Sequence, residues 1–570
     1  MKKEVIPKKR KVIYGLFVLD HKKFTKMKEQ KMNSRQKFGV MLDCSRNAVM
    51  KPERVKKFVD IISAFGYNCI QLYTEDTFEV SDEPYFGYLR GRYTKNELKE
   101  LDAYCLKKGV ELIPCVQTLA HVNQIFRWNE YARTICDTGD ILLVDEERTY
   151  ALIENIFKTL AECFTSRIVN IGMDEAHLLG RGKYLDKHGY VNPFDILNRH
   201  LRKVLEIAAK YGFTCMMWSD MFIRIANNGE YFRDNIVVTE KARESVPQGV
   251  NLVYWDYYHA AEKEYDKMIA AHKKLVSPDR IWFAGGAWVW KGFAPDNAFT
   301  CKTMKSAMRS CRANGVKNVF ITLWGDDGKE CSYFSVLPSL YYIKKIYDGE
   351  TDTAAIKQSF KQITGVDFDA LCALDLANSV QGGNKINSNA SKYMLYSDPF
   401  SGFADYTVKP GVNAEFASAA RKLARKAKGG GEFKYIFDCL KLLCDVLALK
   451  AELGVKLRAA YKVGDKDGLS ALVKDMKKIE KRLEVFFKAF QTLWYTDNKP
   501  QGFEVQEVRI GGLMRRVKSC REMIEEYLNG EITEIPELAQ EILPYGEKGV
   551  PSYINAYARN ASVNVFSHEF

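Results

Sequence analysis

The chain has 570 residues, 46% hydrophobic and 28% charged, which is too much for one core and ordinary for a globular protein of two or three domains. The net charge of +13 is concentrated: residues 1–31 hold eleven Lys/Arg against three Asp/Glu, so a basic arm supplies eight of the thirteen excess charges. A polyanion-binding surface spread over the body, and hence a nucleic-acid partner, is thereby excluded. No apolar run approaches the roughly 18–20 residues of a membrane helix.

Fourteen cysteines occur without a CxxC pair or a cluster, which fits buried thiols in a reducing compartment and predicts a cytoplasmic location. The eight histidines form no HExxH, so neither a metal nor a cofactor is expected. Val12 to Leu19 is apolar behind a basic start, but Asp20, His21 and further lysines follow without a small-residue cleavage site, a poor signal peptide.

In chain order, Phe38–Cys44 is a short apolar strand, and Pro52 opens a helix that stops at Gly66. Tyr67–Tyr73 is a second strand. A helix over Thr94–Lys108 closes at Gly109 and runs into Val110–Val116. A helix from about Arg148 to Phe164 leads to the strand of Arg167–His177, and a helix over Pro193–Tyr211 ends at Gly212 before Phe213–Trp218. Asn251–Trp255, Ile281–Ala284 and Val316–Trp324 complete eight strands, the last preceded by Asn314-Gly315. Four helices closed by glycine, each entering a strand at once, form a repeated αβ joint. Eight strands with intervening helices predict a (β/α)8 TIM barrel over 36–349. An open doubly wound sheet lacks its GxGxxG after the first strand. Beyond Gly349 the period becomes 3.6 over Phe416–Ala427, Tyr435–Tyr461, Leu469–Leu493 and Glu507–Leu528, broken at Gly429-Gly430-Gly431. This predicts an α-helical C-terminal domain over 350–570, a candidate dimer surface, with Gln381–Val412 as a long loop.

A barrel places chemistry where its strands end. Those ends carry Asp43 and Arg46, Glu75 and Asp76, His121, Asp174 and Glu175, Trp218 and Asp220, Trp255, Asp256 and Tyr257, Trp288 and Trp290, and Trp324 and Asp326. Six of eight tryptophans fall between 218 and 324, nearly all at strand ends, where packing alone would scatter them. Indoles among carboxylates suit a sugar, whose ring faces stack while its hydroxyls bind acids and arginine. The adjacent Asp174 and Glu175 reach one pocket only if the chain bends as the strand ends.

From VMLDCSRN through Tyr73-Thr74-Glu75-Asp76 and TLAH to IGMDEAH, the chain resembles glycoside hydrolase family 20, the β-N-acetylhexosaminidases. Its segments MMWSDM, LVYWDYY, FAGGAWVW and TLWGDD resemble the cytoplasmic bacterial exo-β-N-acetylglucosaminidase branch. The resemblance implies retaining, substrate-assisted cleavage of β-linked N-acetylhexosamine oligosaccharides, in which the 2-acetamido oxygen attacks the anomeric carbon. It makes Glu175 the general acid and base and Asp174 the partner of the acetamido N–H. Arg46 grips distal hydroxyls, His121 matches the histidine of strand three, and Trp218, Trp255 and Trp324 wall the acetamide. Asp256, Trp288 and Trp290 join the substrate-binding set, and Asp326 stands where the family usually has Glu. Strand seven lacks the family's Tyr-x-Asp, so the acetamide tyrosine is expected on strand six. With Trp255 inward, alternation puts Tyr257 on its side and Tyr254 on the other, and Tyr254 is the alternative. The family's small α/β domain before the barrel is reduced to residues 1–35, with Ile13–Leu19 as a remnant helix, and lower solubility is the expected consequence. A carbohydrate-binding barrel without turnover is the rival reading. The string DEAH suggests a helicase, but no GxxxxGK[ST] loop accompanies it.

Overall fold

The structure, a computed structural model, describes residues 36–382, 389–402, 405–544 and 556–564. The expectations for residues 1–35, including Ile13–Leu19, lie outside them. Eight parallel strands form a closed barrel: β1 (Phe38–Asp43), β2 (Cys69–Tyr73), β3 (Glu111–Cys115), β4 (Ile168–Asn170), β5 (Thr214–Trp218), β6 (Asn251–Trp255), β7 (Ile281–Gly286) and β8 (Asn318–Leu323). Each strand pairs with its neighbours in sequence, and β8 returns to β1 in the register Phe38 to Val319. The barrel and a helical C-terminal region are therefore both present.

Seven longer helices flank the strands: α1 (Pro52–Ala64), α2 (Lys95–Lys107), α3 (Glu147–Cys163), α4 (Pro193–Lys210), α5 (Glu262–Leu275), α6 (Asn297–Ala313) and α7 (Leu337–Asp348). Thr94 caps α2 and exchanges hydrogen bonds with Glu97 in a capping box. The joints work as the sequence implies, because Gly66, Gly109, Gly212 and Gly315 all have φ between 72° and 92°, where a Cβ would clash with the backbone. One joint differs: between β5 and β6 the chain forms only short helices, Asp220–Arg224 and Glu240–Ser245. The loop after β3 also contains a small antiparallel pair, Cys136–Thr138 with Ile141–Leu142.

Strand alternation sorts side chains into two layers. Met41, Tyr73, Ile113, Met216, Trp218 and Val253 fill the barrel interior, while Val40, Leu42, Leu72, Leu112, Leu252 and Tyr254 pack outward under the helices. Trp282, second residue of β7, belongs to the interior and meets Phe320 at 6.3 Å. It fills the barrel interior, whereas Ile281 and Phe283 on either side pack outward.

Beyond the barrel, α8 (Val412–Lys426), α9 (Lys434–Lys450), α10 (Leu453–Lys462), α11 (Lys466–Asp497) and α12 (Phe503–Asn529) pack against one another in order. The segment expected as one helix from Tyr435 to Tyr461 is two, divided at Ala451-Glu452. Within the expected long loop, Ala390–Tyr396 is a helix. All seven of its residues are buried, chiefly against α9 and the loops after β7 and β8, a tertiary environment that leaves no periodic trace. Its Lys392, fully buried, reaches Asp327 Oδ2 at 3.1 Å and Glu330 Oε1 at 2.9 Å, and Arg509 of α12 holds Asp327 Oδ1 at 2.7 Å. The loop after β8, which carries Asp326, is thus fixed from the helical region.

Candidate active site

Strand β4 ends in a bend of unusual backbone: Gly172, Met173 and Glu175 have φ of 72°, 67° and 51°. Non-glycine residues held there cost on the order of 1–3 kcal/mol each and need surrounding support. Gln117 accepts the Met173 N–H at 3.2 Å, and Asp220 accepts the Glu175 N–H at 3.1 Å. A Cβ on Gly172 would lie 1.9 Å from Gln117 Oε1, so only glycine fits. The bend makes the adjacent acids diverge: the Asp174 side chain is 12% exposed and that of Glu175 40%.

Asp174 Oδ1 accepts from Gln117 Nε2 at 2.8 Å, and Oδ2 lies 3.2 Å from His121 Nε2. The His121 N–H is not aimed along that contact, so the attraction is chiefly coulombic. Burial disfavours charge on Asp174, but the imidazolium of His121 and the Gln117 hydrogen bond outweigh it and hold the carboxyl below the usual range. Burial likewise disfavours the imidazolium, yet Asp174 pushes His121 up to about 9. At neutral pH this is a charged pair. The network continues across the mouth: Gln117 Nε2 donates to Tyr73 Oη at 2.9 Å, Tyr73 donates to Glu75 at 2.9 Å, and Glu75 pairs with Arg46.

Rings line the opposite wall. Trp324 meets Tyr73 edge-on at 4.9 Å and Trp218 at 5.9 Å. Trp255 lies between Tyr231 at 4.7 Å and Tyr257 at 5.5 Å, both nearly parallel to it. Tyr257 and Trp290 reach the cleft because β7 ends in glycine: a Cβ on Gly286 would stand 2.8 Å from both. The cleft, open to solvent on one side, has a volume of about 200 Å³ and is bounded by Arg46, His121, Asp174, Glu175, Trp218, Trp255, Tyr257, Trp290, Trp324 and Asp326, together with Tyr73 and Tyr258. It combines a desolvated carboxylate, a half-exposed second acid, an arginine and flat apolar faces. Such a site can protonate a leaving oxygen and steady positive charge on a bound sugar.

The family model of the glycosyl hydrolase family 20 catalytic domain matches residues 38–320, and that of the glycoside hydrolase 20C C-terminal domain matches residues 366–555. The chain belongs to glycoside hydrolase family 20. It is 26% identical over 247 residues to Hexosaminidase D of Bos taurus, a match spanning 41% of this chain and 64% of that protein. It is also 26% identical over 170 residues to Beta-hexosaminidase of Akkermansia muciniphila, over 24% of this chain and 34% of that one. The matches thus cover less than two thirds of either relative. Among solved structures, the GH20 exo β-N-acetylglucosaminidase of Vibrio harveyi in complex with N-acetylglucosamine is similar with a TM-score of 0.45 and 12% identity, over 58% of each chain.

Three residues expected in the cleft of this family 20 chain lie outside it. Tyr254 faces the outer layer, where its hydroxyl donates to Asp256 Oδ2 at 2.9 Å and its ring packs on His272 and Phe283. It sits one residue from the inward Trp255, so alternation turns it away. Asp256 is buried under the turn after β6, accepting the Tyr258 N–H at 3.0 Å and facing His259 Nδ1 at 2.8 Å. Trp288 stacks behind Trp290 at 4.4 Å and donates its indole N–H to the Tyr257 carbonyl at 3.0 Å; it supports the wall instead of lining it. Conversely, Tyr73, Gln117, Tyr258 and Arg224 belong to the site without having been expected there. Tyr73 had a signal, since it ends β2 with inward parity. Gln117 and Arg224 had none, because nothing local shows what they touch.

Proposed function

We propose that this family 20 chain is an exo-acting β-N-acetylhexosaminidase that removes terminal β-linked GlcNAc, with GalNAc as a second substrate, by substrate-assisted retention. The observation that carries this reading is Asp174: a buried carboxylate kept charged by His121 and Gln117, facing an aromatic box and next to a half-exposed acid. In that setting Asp174 accepts the acetamido N–H and offsets the positive charge of the forming oxazoline. Tyr257, whose ring lines the box, holds the acetamido oxygen as it attacks the anomeric carbon. Glu175 protonates the departing glycosidic oxygen, then takes a proton from the water that opens the ring, so the cycle consumes one water and restores both acids. Arg46 and Asp326 at the far rim grip the distal hydroxyls. Exo action is supported by size, since a cleft of about 200 Å³ falls below the roughly 300–1,000 Å³ of sites for larger ligands. Fourteen free cysteines favour a reducing, cytoplasmic location.

The test is hydrolysis. The protein should release 4-nitrophenol from its β-GlcNAc glycoside and should not act on the matching glucoside, which lacks the acetamide. Glu175→Gln should lower kcat/KM on N,N′-diacetylchitobiose by about 10²–10⁴-fold, the usual worth of a general acid. Binding of GlcNAc without turnover by the unaltered chain would instead favour a carbohydrate-binding barrel.

A further inference from the structure

Glu175 is bracketed by a part of the chain that the sequence did not connect with it. The helix Asp220–Arg224 turns off the end of β5 and presents Asp220 and Arg224 four residues apart, on one face. Arg224 is restrained on several sides. Its Nε donates to Asp220 Oδ2 at 3.1 Å, its Nη1 donates to the Gly229 carbonyl at 3.0 Å, and its guanidinium lies over the rings of Tyr231 and Trp255 at 5.6 and 6.0 Å. The remaining nitrogen, Nη2, stands 3.4 Å from Glu175 Oε1. The same Asp220 oxygen that accepts Arg224 Nε also accepts the backbone N–H of Glu175 at 3.1 Å. One buried carboxylate therefore locates both the left-handed backbone of Glu175 and the cation beside its side chain.

That arrangement matters because Glu175 has two oxygens with different surroundings. Oε1 faces the guanidinium, and Oε2 lies 3.8 Å from His121 Nε2. The other charged or titratable groups facing this carboxyl are Asp174 beside it, Asp220 on the helix after β5 and Tyr258 on the loop after β6. A guanidinium held beside Oε1 fixes the plane of the carboxyl and so the direction in which it can donate its proton.

We propose that Arg224 is a positioning residue for Glu175, orienting its carboxyl toward the leaving oxygen. The assignment rests on Glu175 being the general acid. Its test compares kcat/KM on N,N′-diacetylchitobiose, a poor leaving group, with 2,4-dinitrophenyl β-GlcNAc, whose leaving group needs no proton. Arg224→Met should lower the first about tenfold or more and leave the second within about threefold, since only proton transfer to the leaving group is impaired. Arg224→Lys should recover part of the lost rate on the disaccharide by restoring a cation beside Glu175, and it serves as the second variant if the methionine protein melts early. Equal losses on both glycosides would overturn the proposal alone. An unaltered protein inert toward both glycosides would overturn the hydrolase reading beneath it.

Discussion

Replacing Asp174 by Asn tests the charge pair at the floor of the cleft with little change in shape. In the native site Asp174 Oδ2 lies 3.2 Å from His121 Nε2 and is the chief reason that His121 rises from 6.5 to about 9. That rise corresponds to about 3 kcal/mol of preference for the imidazolium, at roughly 1.4 kcal/mol per pKa unit. The sign follows from linkage. A group whose pKa is raised on folding adds stability that is full below its unfolded value near 6.5, and loses it as pH climbs toward 9. In Asp174→Asn burial and Arg46 oppose the imidazolium with only Glu75 and Glu175 left to favour it, so His121 should titrate well below 9 and the fall in melting temperature between pH 6.5 and 9 should flatten. Catalysis should suffer separately, by about 10²–10³-fold in kcat, the loss found when one preorganised group stabilising developing charge is removed. Two measurements decide: histidine C–H resonances against pH, assigned with a His121→Gln variant, and turnover of the 4-nitrophenyl glycoside. If His121 still titrates near 9, or turnover stays within tenfold, the charge-pair argument fails.

Two tyrosines on one strand end should part company. Tyr257→Phe, losing a hydroxyl from the cleft, should cost roughly 10²–10³-fold in kcat/KM if that hydroxyl holds the acetamide. Tyr254→Phe should leave activity within about twofold but remove a buried donor to Asp256, lowering stability by about 1–3 kcal/mol in thermal melts. Lys392→Met should strand Asp327 and Glu330 in a buried setting, a loss on the order of 3–5 kcal/mol for one partner of a buried pair. It should lower the melting temperature, and activity should fall with it, since the loop carrying Asp326 loses its anchor; an unchanged melt would show that Arg509 suffices.

Much of the barrel was legible because its signals are local. A glycine at a left-handed helix end, a capping threonine and a run of alternating strand residues each act within a few positions, so Gly66, Gly109, Gly212 and Gly315 mark their joints from neighbouring residues alone. Parity within one strand is local too, and it separated Tyr257 from Tyr254 by counting from Trp255. The same counting turns Asp256 to the Tyr254 side, where it lies, so its place among the expected substrate-binding residues went against parity; Trp288 lies in the turn after β7, where the period of two no longer says which way a side chain points.

The amino-acid order by itself therefore determined the family motifs, the αβ rhythm and the neighbouring acids at the end of β4. Tertiary structure alone decided their environment. Gln117 meets Asp174 across 57 positions, Arg224 meets Glu175 across 49, and Lys392 meets the Asp327 carbonyl across 65. Charge on a buried acid depends on such partners, because burial opposes ionisation and only a nearby cation or donor reverses it. That balance is struck between strands and helices brought together by closure of the barrel, and no window of adjacent residues contains it.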